Sequence, residues 1–588
     1  MSRLFSTLAT IWRLASPYFF SEDRWPGRIL LGAVIALELI SVAIDVMFNQ
    51  WNNRFYNALQ ERNWDTFVYE LGFFCVLATI YIVLAVYQVY LNQWLQIRWR
   101  RWMTRQYLDH WLVGSNHYRM QLLGDAADNP DQRIAEDIKQ FIDAGATGIG
   151  LLPIGLGLLN SVVTLGSFVF ILWRLSETAP LHLFGAEWVI PGYLVWGALL
   201  YAILGTTLTH LIGWPLISLN FRQQQFEADF RFNLVRVREN SEQIALLGGD
   251  VAERERLLGR FGYVVSNWLA IMRRTKRLTF LTAGYAQASK VFPFILAGPA
   301  YFAGAFQLGG LIQTATAFTS VHDALSFFVT VYRRLAEWQA VVARLEGFDI
   351  AVARAQAATT TQPAIALTAR EGQRAVEIHD LMVRLPEGRP LVAANDLTIA
   401  AGESVLVTGP SGAGKSTFFR AVAGAWPFGT GSIVVPKGAK VMALPQRPYF
   451  PIGTLAAAVT YPAEPGTFSA AALAEAIAAV GLPALAARLD DEAHWNRMLS
   501  LGEQQRLGIA RAILQAPDYL LLDEATASLD EPSEAALYRL LEQRLKGTTI
   551  VSIGHRSTLA VFHRRGFTLV RDGDRFRVRE AALASAAE

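Results

Sequence analysis

Residues 405–417 read VLVTGPSGAGKST, and this stretch decides the fold of the second half of the chain. Val405 to Thr408 are apolar or β-branched and read as a buried strand. GPSGAGKS, from Gly409 to Ser416, then fits the pattern G-x-x-x-x-G-K-[ST], with a helix expected behind it. Glycines let backbone N–H groups close on phosphate oxygens, and the helix N-terminus adds the positive end of a dipole. The loop Gly409, Pro410, Ser411, Gly412, Ala413, Gly414, Lys415, Ser416 and Thr417 is therefore expected to hold nucleotide phosphates. Lys415 is placed to reach the β- and γ-phosphates, and the Ser416 hydroxyl to bind Mg²⁺.

Working outward, residues 519–524 read YLLLDE, an apolar strand ending in two acids. Asp523 is expected to hold the same Mg²⁺, directly or through water, and Glu524 to polarise the attacking water as general base. Between loop and strand lies LSLGEQQRLGIARA, residues 499–512. This resembles the signature of the ATP-binding cassette (ABC) ATPases, commonly LSGGQ. The other elements of that family follow in order. Gln446 in ALPQRPYF resembles the Q-loop residue that meets nucleotide and metal, Ser528-Leu529-Asp530 the D-loop, and His555 in VSIGHR the switch histidine.

The resemblance implies cassettes paired head to tail, with ATP held by the phosphate loop of one and the signature of the other. Ser500, Gly502 and Glu503, with Asp530, then complete the ATP site across that pairing. One chain carries one cassette, so a homodimer is the simplest unit. Leu501 replaces the glycine usual after the signature serine. The aromatic on which this family usually stacks adenine is missing too, because residues 364–408 contain no Phe, Tyr or Trp. Leu385 or Pro386 is the expected substitute.

The first half is of another kind. Hydrophobic residues make up 52% of the 588 and charged ones 18%, as in a membrane protein with a soluble part. A helix needs roughly 20 apolar residues to cross a bilayer. Six stretches come close: 28–50, 67–93, 146–173, 188–212, 285–306 and 312–332. Trp25, Trp51, Trp64, Trp94, Trp173, Trp188 and Trp214 sit at their edges. The connections 94–145 and 213–284 hold seven and eleven Lys and Arg, against three in the three short loops, so they are expected on the cytoplasmic side with both termini. Residues 1–27 lack a long apolar core. They read as an interfacial helix rather than a cleaved signal, although Arg3 and Arg13 allow a transit peptide. Residues 349–375 read as a linker, and 376–588 as the α/β cassette. The lone Cys75 excludes an internal disulfide and reads as a small buried hydrophobe.

A six-span half ahead of a cassette is the layout of exporter-type half-transporters. DNPDQRIAEDI (128–138) packs four carboxylates between apolar stretches, in the first cytoplasmic connection. The second holds FEADFRFNLVRVRENSEQIALLGG, residues 226–249. With WNNRFYNALQ (51–60) and AEWQAVVARLEGF (336–348), these strings resemble the SbmA/BacA-like peptide transporters and the peroxisomal fatty acyl-CoA half-transporters. That resemblance implies coupling segments between cassette and membrane helices, involving Asn129, Asp131, Arg133, Glu227 and Arg231. A solvated loop with an ordinary helix cap at Asn129 or Asp131 is the plainer reading.

Acids at bilayer depth face a cavity or a partner. Glu38 and Asp45 lie seven apart on one helical face, and the sixth span carries His322 and Asp323. If these four line the pathway, its wall is acidic and suits a cationic cargo or protons; pairing with Lys290 is the alternative. The reading that follows is an ATP-driven homodimer in a bacterial inner membrane, taking up a bulky cationic or amphipathic solute such as a peptide. A lipid or acyl-CoA carrier, an exporter, and a proton-coupled transporter regulated by its cassette stay open. A soluble nucleic-acid-repair ATPase is set aside by the six spans and by the lack of a basic nucleic-acid groove.

Overall fold

The computed structural model describes residues 2–124, 129–143, 149–178, 181–183, 186–188, 190–360 and 363–582. The chain divides into two compact units, Met1–Tyr107 with Pro130–Glu346, and Leu108–Asn129 with Gly347–Glu588.

The first unit is helical. After α1 (Ser2–Ala15) come α2 (Arg24–Gln60) and α3 (Trp64–Leu112). Beyond the short α4 (Asn116–Leu122) follow α5 (Leu151–Thr178), α6 (Tyr193–Glu239), the six-residue α7 (Ser241–Leu246), α8 (Asp250–Phe302) and α9 (Leu308–Ala357). Among the described residues, α2, α3, α5 and α6 are long and apolar enough to cross a membrane. The stretches 285–306 and 312–332 lie on α8 and α9 but are richer in polar residues, including Lys290, His322 and Asp323.

Helix ends differ from the expected spans where turn chemistry intervenes. Trp188 closes a short antiparallel pair, Leu181–Leu183 with Ala186–Trp188, so α6 starts only after Gly192, whose φ is 69°. The stretch 285–306 ends early, because α8 stops at Phe302 and a turn through Gly304 follows. The first residues of 146–173 lie outside the described part. The N-terminal segment is held down rather than loose: Tyr18 is fully buried and stacks on Trp99 at 5.4 Å, and Asp23 accepts from Tyr18 and Arg98. Cys75, expected to be buried, is exposed on α3, where an apolar side chain suits a lipid-facing surface as well as a core.

WNNRFYNALQ acquires a structural reason. Asn49, Asn53 and Asn57 recur one turn apart on α2 and form an amide ladder to the start of α9. Asn49 donates to the Gln313 carbonyl (3.0 Å) and Thr316 Oγ1 (2.7 Å), and Asn53 to Gln313 Oε1 (2.6 Å). Asn57 Oδ1 caps the Gly309 N–H at 2.7 Å. A small residue lets two helix backbones approach closely, and interhelical hydrogen bonds then fix their register. A Cβ at Gly309 would overlap the Asn53 carbonyl oxygen.

In DNPDQRIAEDI, Asp128 lies outside the described residues and the rest, after Asn129, forms a short helix. It starts at Pro130 and widens into one π-turn over Arg133–Asp137. Asp137 accepts from Arg133 at 2.5 Å and from the fork of Arg344 on α9 at 2.6 and 2.9 Å. Buried charges persist only when paired like this.

The second unit is a doubly layered α/β cassette. Its sheet uses β1 (Ala366–Arg370), β2 (Ala375–Arg384), β3 (Pro390–Ala394), β4 (Leu397–Ala400), β5 (Ser404–Thr408), β6 (Gly429–Pro436), β7 (Val441–Leu444), β8 (Tyr519–Asp523), β9 (Thr549–Ile553), β10 (Arg565–Asp572) and β11 (Arg575–Ala581). The order is β1-β6-β2-β3-β11-β10-β5-β9-β8-β7, with β4 beside β2. The run β10-β5-β9-β8-β7 is parallel, as expected of apolar strands buried on both faces. Residues 349–375 are not a free linker. The first nine continue α9, and 366–370 form an edge strand paired with β6, because the small residues there suit a helix end and then a strand edge. Residues 108–129 belong to this unit as well, and Leu122 of α4 packs against the cassette core.

Gly309→Ala should lower the melting temperature of the detergent-solubilised protein by several degrees, on the order of 2–4 °C per kcal/mol lost. An unchanged melting curve would show that α2 and α9 do not touch at this point.

Candidate active site

Helix α10 (Lys415–Val422) rises from the phosphate loop, which gathers left-handed glycines: φ is 76° at Gly412 and 91° at Gly414. A side chain at Gly414 would run into Leu391 and Val392 of β3, whereas Gly412 faces open space. The loop is thus backed by strand on one side and open on the other. Leu391, not foreseen in the sequence, is the apolar side chain beside the loop; Leu385 and Pro386 lie in the turn just before it.

Lys415 bends over its own loop and donates to the carbonyls of Gly409 and Pro410, both at 2.9 Å. Burial lowers its pKa, while the charges of Glu524 and Asp523 pull it back up. Ser416 Oγ donates to Asp523 Oδ1 at 2.8 Å. Burial raises the Asp523 pKa, and the Ser416 hydrogen bond acts the other way. A hydroxyl and a carboxylate at this distance are a pair that Mg²⁺ can join. Among the described residues no cluster of three or more His, Cys, Asp or Glu could hold a metal alone. A metal here must therefore complete its shell with phosphate oxygens and water, as Mg²⁺ commonly does.

Glu524 follows β8 with φ at 52°, a left-handed conformation that costs a non-glycine residue on the order of 1–3 kcal/mol. Its Oε1 lies 3.1 Å from His555 Nε2, and its N–H donates to the Ile553 carbonyl at 3.2 Å. The expected base and switch histidine are therefore in contact. The arrangement leaves the carboxylate partly open to a water and the imidazole exposed beside it.

The signature serine, Ser500, is the N-cap of α11 (Leu501–Gln515) in a complete capping box with Glu503. Glu503 Oε2 takes both the Ser500 N–H and hydroxyl at 2.8 Å, so this carboxylate shapes the helix start. Asp530 likewise caps α12 (Glu531–Arg544) through the Ser533 N–H at 3.3 Å. Helix α11 is seated in a different core cluster from α10, so signature and phosphate loop head separate layers of one cassette.

Three buried groups tie these parts together and escaped the sequence reading. The Gln505 amide donates to the carbonyls of Gln446 (2.9 Å) and Glu524 (3.5 Å), and accepts from the Ser528 N–H (3.0 Å). Glu534 accepts from Thr526 Oγ1 at 2.6 Å and Arg556 at 3.2 Å, joining the residues just past Glu524 and His555. Arg511 donates to the carbonyls of Tyr449 and Ala458 and lies 4.7 Å over Phe450, with its pKa lowered to about 10 by burial. The repeated QQR after the signature and the second acid after the D-loop were visible. Nothing in one sequence marked them as buried connectors.

The membrane residues expected to form an acidic wall do not act together. Glu38 is buried and bonded to Gln88 on α3, not paired with Lys290. This is the low-cost solution for a carboxyl between apolar helices. Asp45 is exposed on the same helix. His322 contacts Asp323 at 3.0 Å and Tyr285 at 3.1 Å, with Asp323 open. Of the coupling candidates, Arg133 is turned inward to Asp137, because its spacing of four puts that acid on its own face. Asn129 ends the piece that belongs to the cassette unit, and Asp131 starts the first turn of the other. Glu227 and Arg231 are exposed partway along α6, and Glu227 is bonded to Gln223. The tip of that arm is instead α7, with Leu246 and Leu247 exposed.

Comparison with known proteins agrees with this geometry. The family described as ABC transporter transmembrane region 2 matches residues 14–302, and the ABC transporter family matches 392–527. The Escherichia coli inner membrane ABC transporter ATP-binding protein YddA is 33% identical, over 92% of this chain and 94% of its own. The Arabidopsis thaliana ABC transporter D family member 2, chloroplastic, is 33% identical over 95% of this chain and 86% of its own. A bacterial Atm1-family ABC exporter with ATP bound shares the fold, with a TM-score of 0.67 at 18% identity, over 93% of this chain and 94% of that one.

Glu524→Gln should cut ATP turnover about 10²- to 10⁴-fold while ATP still binds. Turnover retained in this variant would remove Glu524 from the base role. Glu534→Gln should lower kcat about ten-fold with KM for ATP unchanged. Adding Arg556→Gln should cost little more, because the two groups act as one unit. Full additivity in the steady-state kinetics would show that they do not.

Proposed function

This chain belongs to the ABC transporters that fuse one membrane region to one ATP-hydrolysing cassette, and on that premise we propose that it works as a homodimer carrying a bulky amphipathic solute across a bacterial inner membrane. The observation that carries the dimer is that each cassette has one phosphate loop and one signature serine, seated in separate core layers. A site that uses both is completed by a second copy. Ser416 and Asp523 would hold Mg²⁺ on the phosphates; that ion supplies charge neutralisation at the transferred phosphoryl group. Lys415 would leave its loop carbonyls for phosphate oxygens. Glu524 would accept the proton of the attacking water, with His555 orienting the carboxylate and facing the γ-phosphate.

A shared ATP favours the closed pair of cassettes, and hydrolysis removes that differential affinity. The excess of Lys and Arg in both long connections favours their placement on the cassette's side of the membrane.

For the cargo, exposed Asp45 and Asp323 favour a cationic solute such as a peptide, moving inward. The enclosure of Glu38 removes half of the acidic face on α2 and gives equal standing to a lipid-like or acyl-CoA cargo. Both can be tried in proteoliposomes with ATP and Mg²⁺ added outside, so that only outward-facing cassettes respond. ATP-dependent loss of a preloaded fluorescent Arg-rich peptide, absent in Glu524→Gln, is the expected result for uptake. Accumulation would mean export. Movement of a fluorescent acyl-CoA with no movement of peptide would reject the cationic cargo.

A further inference from the structure

Between α6 and α8 lies a cleft of about 380 Å³, walled by Pro215, Ser218 and Leu219 on one side and by Ala270, Arg273, Arg274 and Arg277 on the other. Its charge is one-sided to an unusual degree. Residues 188–226 and 256–322, which supply both walls and everything near them on the two helices, contain no Asp or Glu. Arg222 follows Leu219 by one turn, and Lys276 lies between the cleft arginines. Among the described residues none of the three arginines joins an ion pair; Arg273 donates only to the Leu269 carbonyl, at 3.3 Å. Three guanidinium groups held this close repel one another, and an anion is the natural partner.

The cleft's height along the helices suggests where that anion comes from. Pro215 comes three residues after the expected fourth span, and Arg277 eight residues before the fifth. Trp214 and Trp268 are exposed there, as interfacial tryptophans are, and exposed Leu211 and Phe280 continue the apolar surface on the membrane side. We propose that this cleft holds the phosphate of an anionic phospholipid from the cytoplasmic leaflet, its chains lying on the apolar surface of α6 and α8. Basic recesses between helices at this depth suit such headgroups. The volume, at the low end for ligand sites, suits a headgroup better than a whole bulky solute. The depth rests on the span order and orientation given above; the unpaired charge does not.

The test uses the full chain, purified in mild detergent, with Arg273→Gln/Arg277→Gln as the cleft variant. Arg256→Gln/Arg260→Gln loses equal charge on the same helix outside the cleft and serves as the control. Native mass spectrometry counts the retained lipids. Wild type and control should keep phosphatidylglycerol in preference to phosphatidylethanolamine, and the cleft variant should bind it about thirty-fold more weakly. Equal retention by the cleft variant, or no preference by wild type, overturns the proposal. Two further arms separate the sources of phosphate. Complete displacement by glycerol 3-phosphate would make this a site for a soluble anion. ATP-dependent transfer of fluorescent phosphatidylglycerol between leaflets would make the lipid cargo. Either result overturns the assignment to a resident lipid. ATP turnover of wild type is measured separately, so failure of the transport reading would leave the lipid count standing.

Discussion

One buried amide holds the cassette's working parts in register. Gln505, on the helix that the signature begins, touches the Q-loop carbonyl of Gln446, the carbonyl of Glu524 and the N–H of Ser528. A glutamine side chain has two donors and an acceptor with two lone pairs, and here it spends them on three loops. In a buried setting each unmade bond would carry a desolvation cost, so the three loops are constrained to one arrangement. A shift of α11 therefore cannot leave Glu524 where it was. The Glu534 bridge repeats this logic on the other side, between the segments after Glu524 and His555.

This constraint also explains how a strained residue survives at the end of β8. Glu524 holds a left-handed backbone that glycine would take without penalty. Glycine cannot act as a base. The strain is offset by the N–H bond to Ile553, the Gln505 contact to its carbonyl and the His555 contact to its carboxylate. Three elements over-determine one residue, as expected where geometry matters more than local comfort.

The cassette was legible because its chemistry depends on local strings. A phosphate loop needs glycines at fixed offsets, and an acidic strand end follows an apolar run, so Lys415, Ser416, Asp523 and Glu524 could be placed from the residues alone. The capping box of Ser500 with Glu503 was not read from the sequence, because a capping acid and a ligand-facing acid look the same there and only the helix start shows the cap. The membrane half was legible in outline and not in partnership. Periodicity puts Glu38 and Asp45 on one face, but not the fact that Gln88, fifty residues on, waits beside the first and not the second. Residues 349–375 looked formless because Ala and Thr suit both a helix end and an edge strand, and the neighbour decides between them.

The Asn49–Asn53–Asn57 ladder to the start of α9 has a mechanical meaning. Hydrogen bonds from one helix to the next fix register as well as distance, so the end of α2 and the first turns of α9 form a single stiff strut instead of two sliding rods. The α6–α8 pair is stitched as well: Asn267 donates to the Leu219 carbonyl and to Gln223 Oε1, both at 2.9 Å, and Tyr201 and Tyr285 each donate to the other's carbonyl. A change in which side of the membrane is open would then shift hydrogen-bonded helix pairs as bodies, with the asparagines of WNNRFYNALQ holding one such pair together.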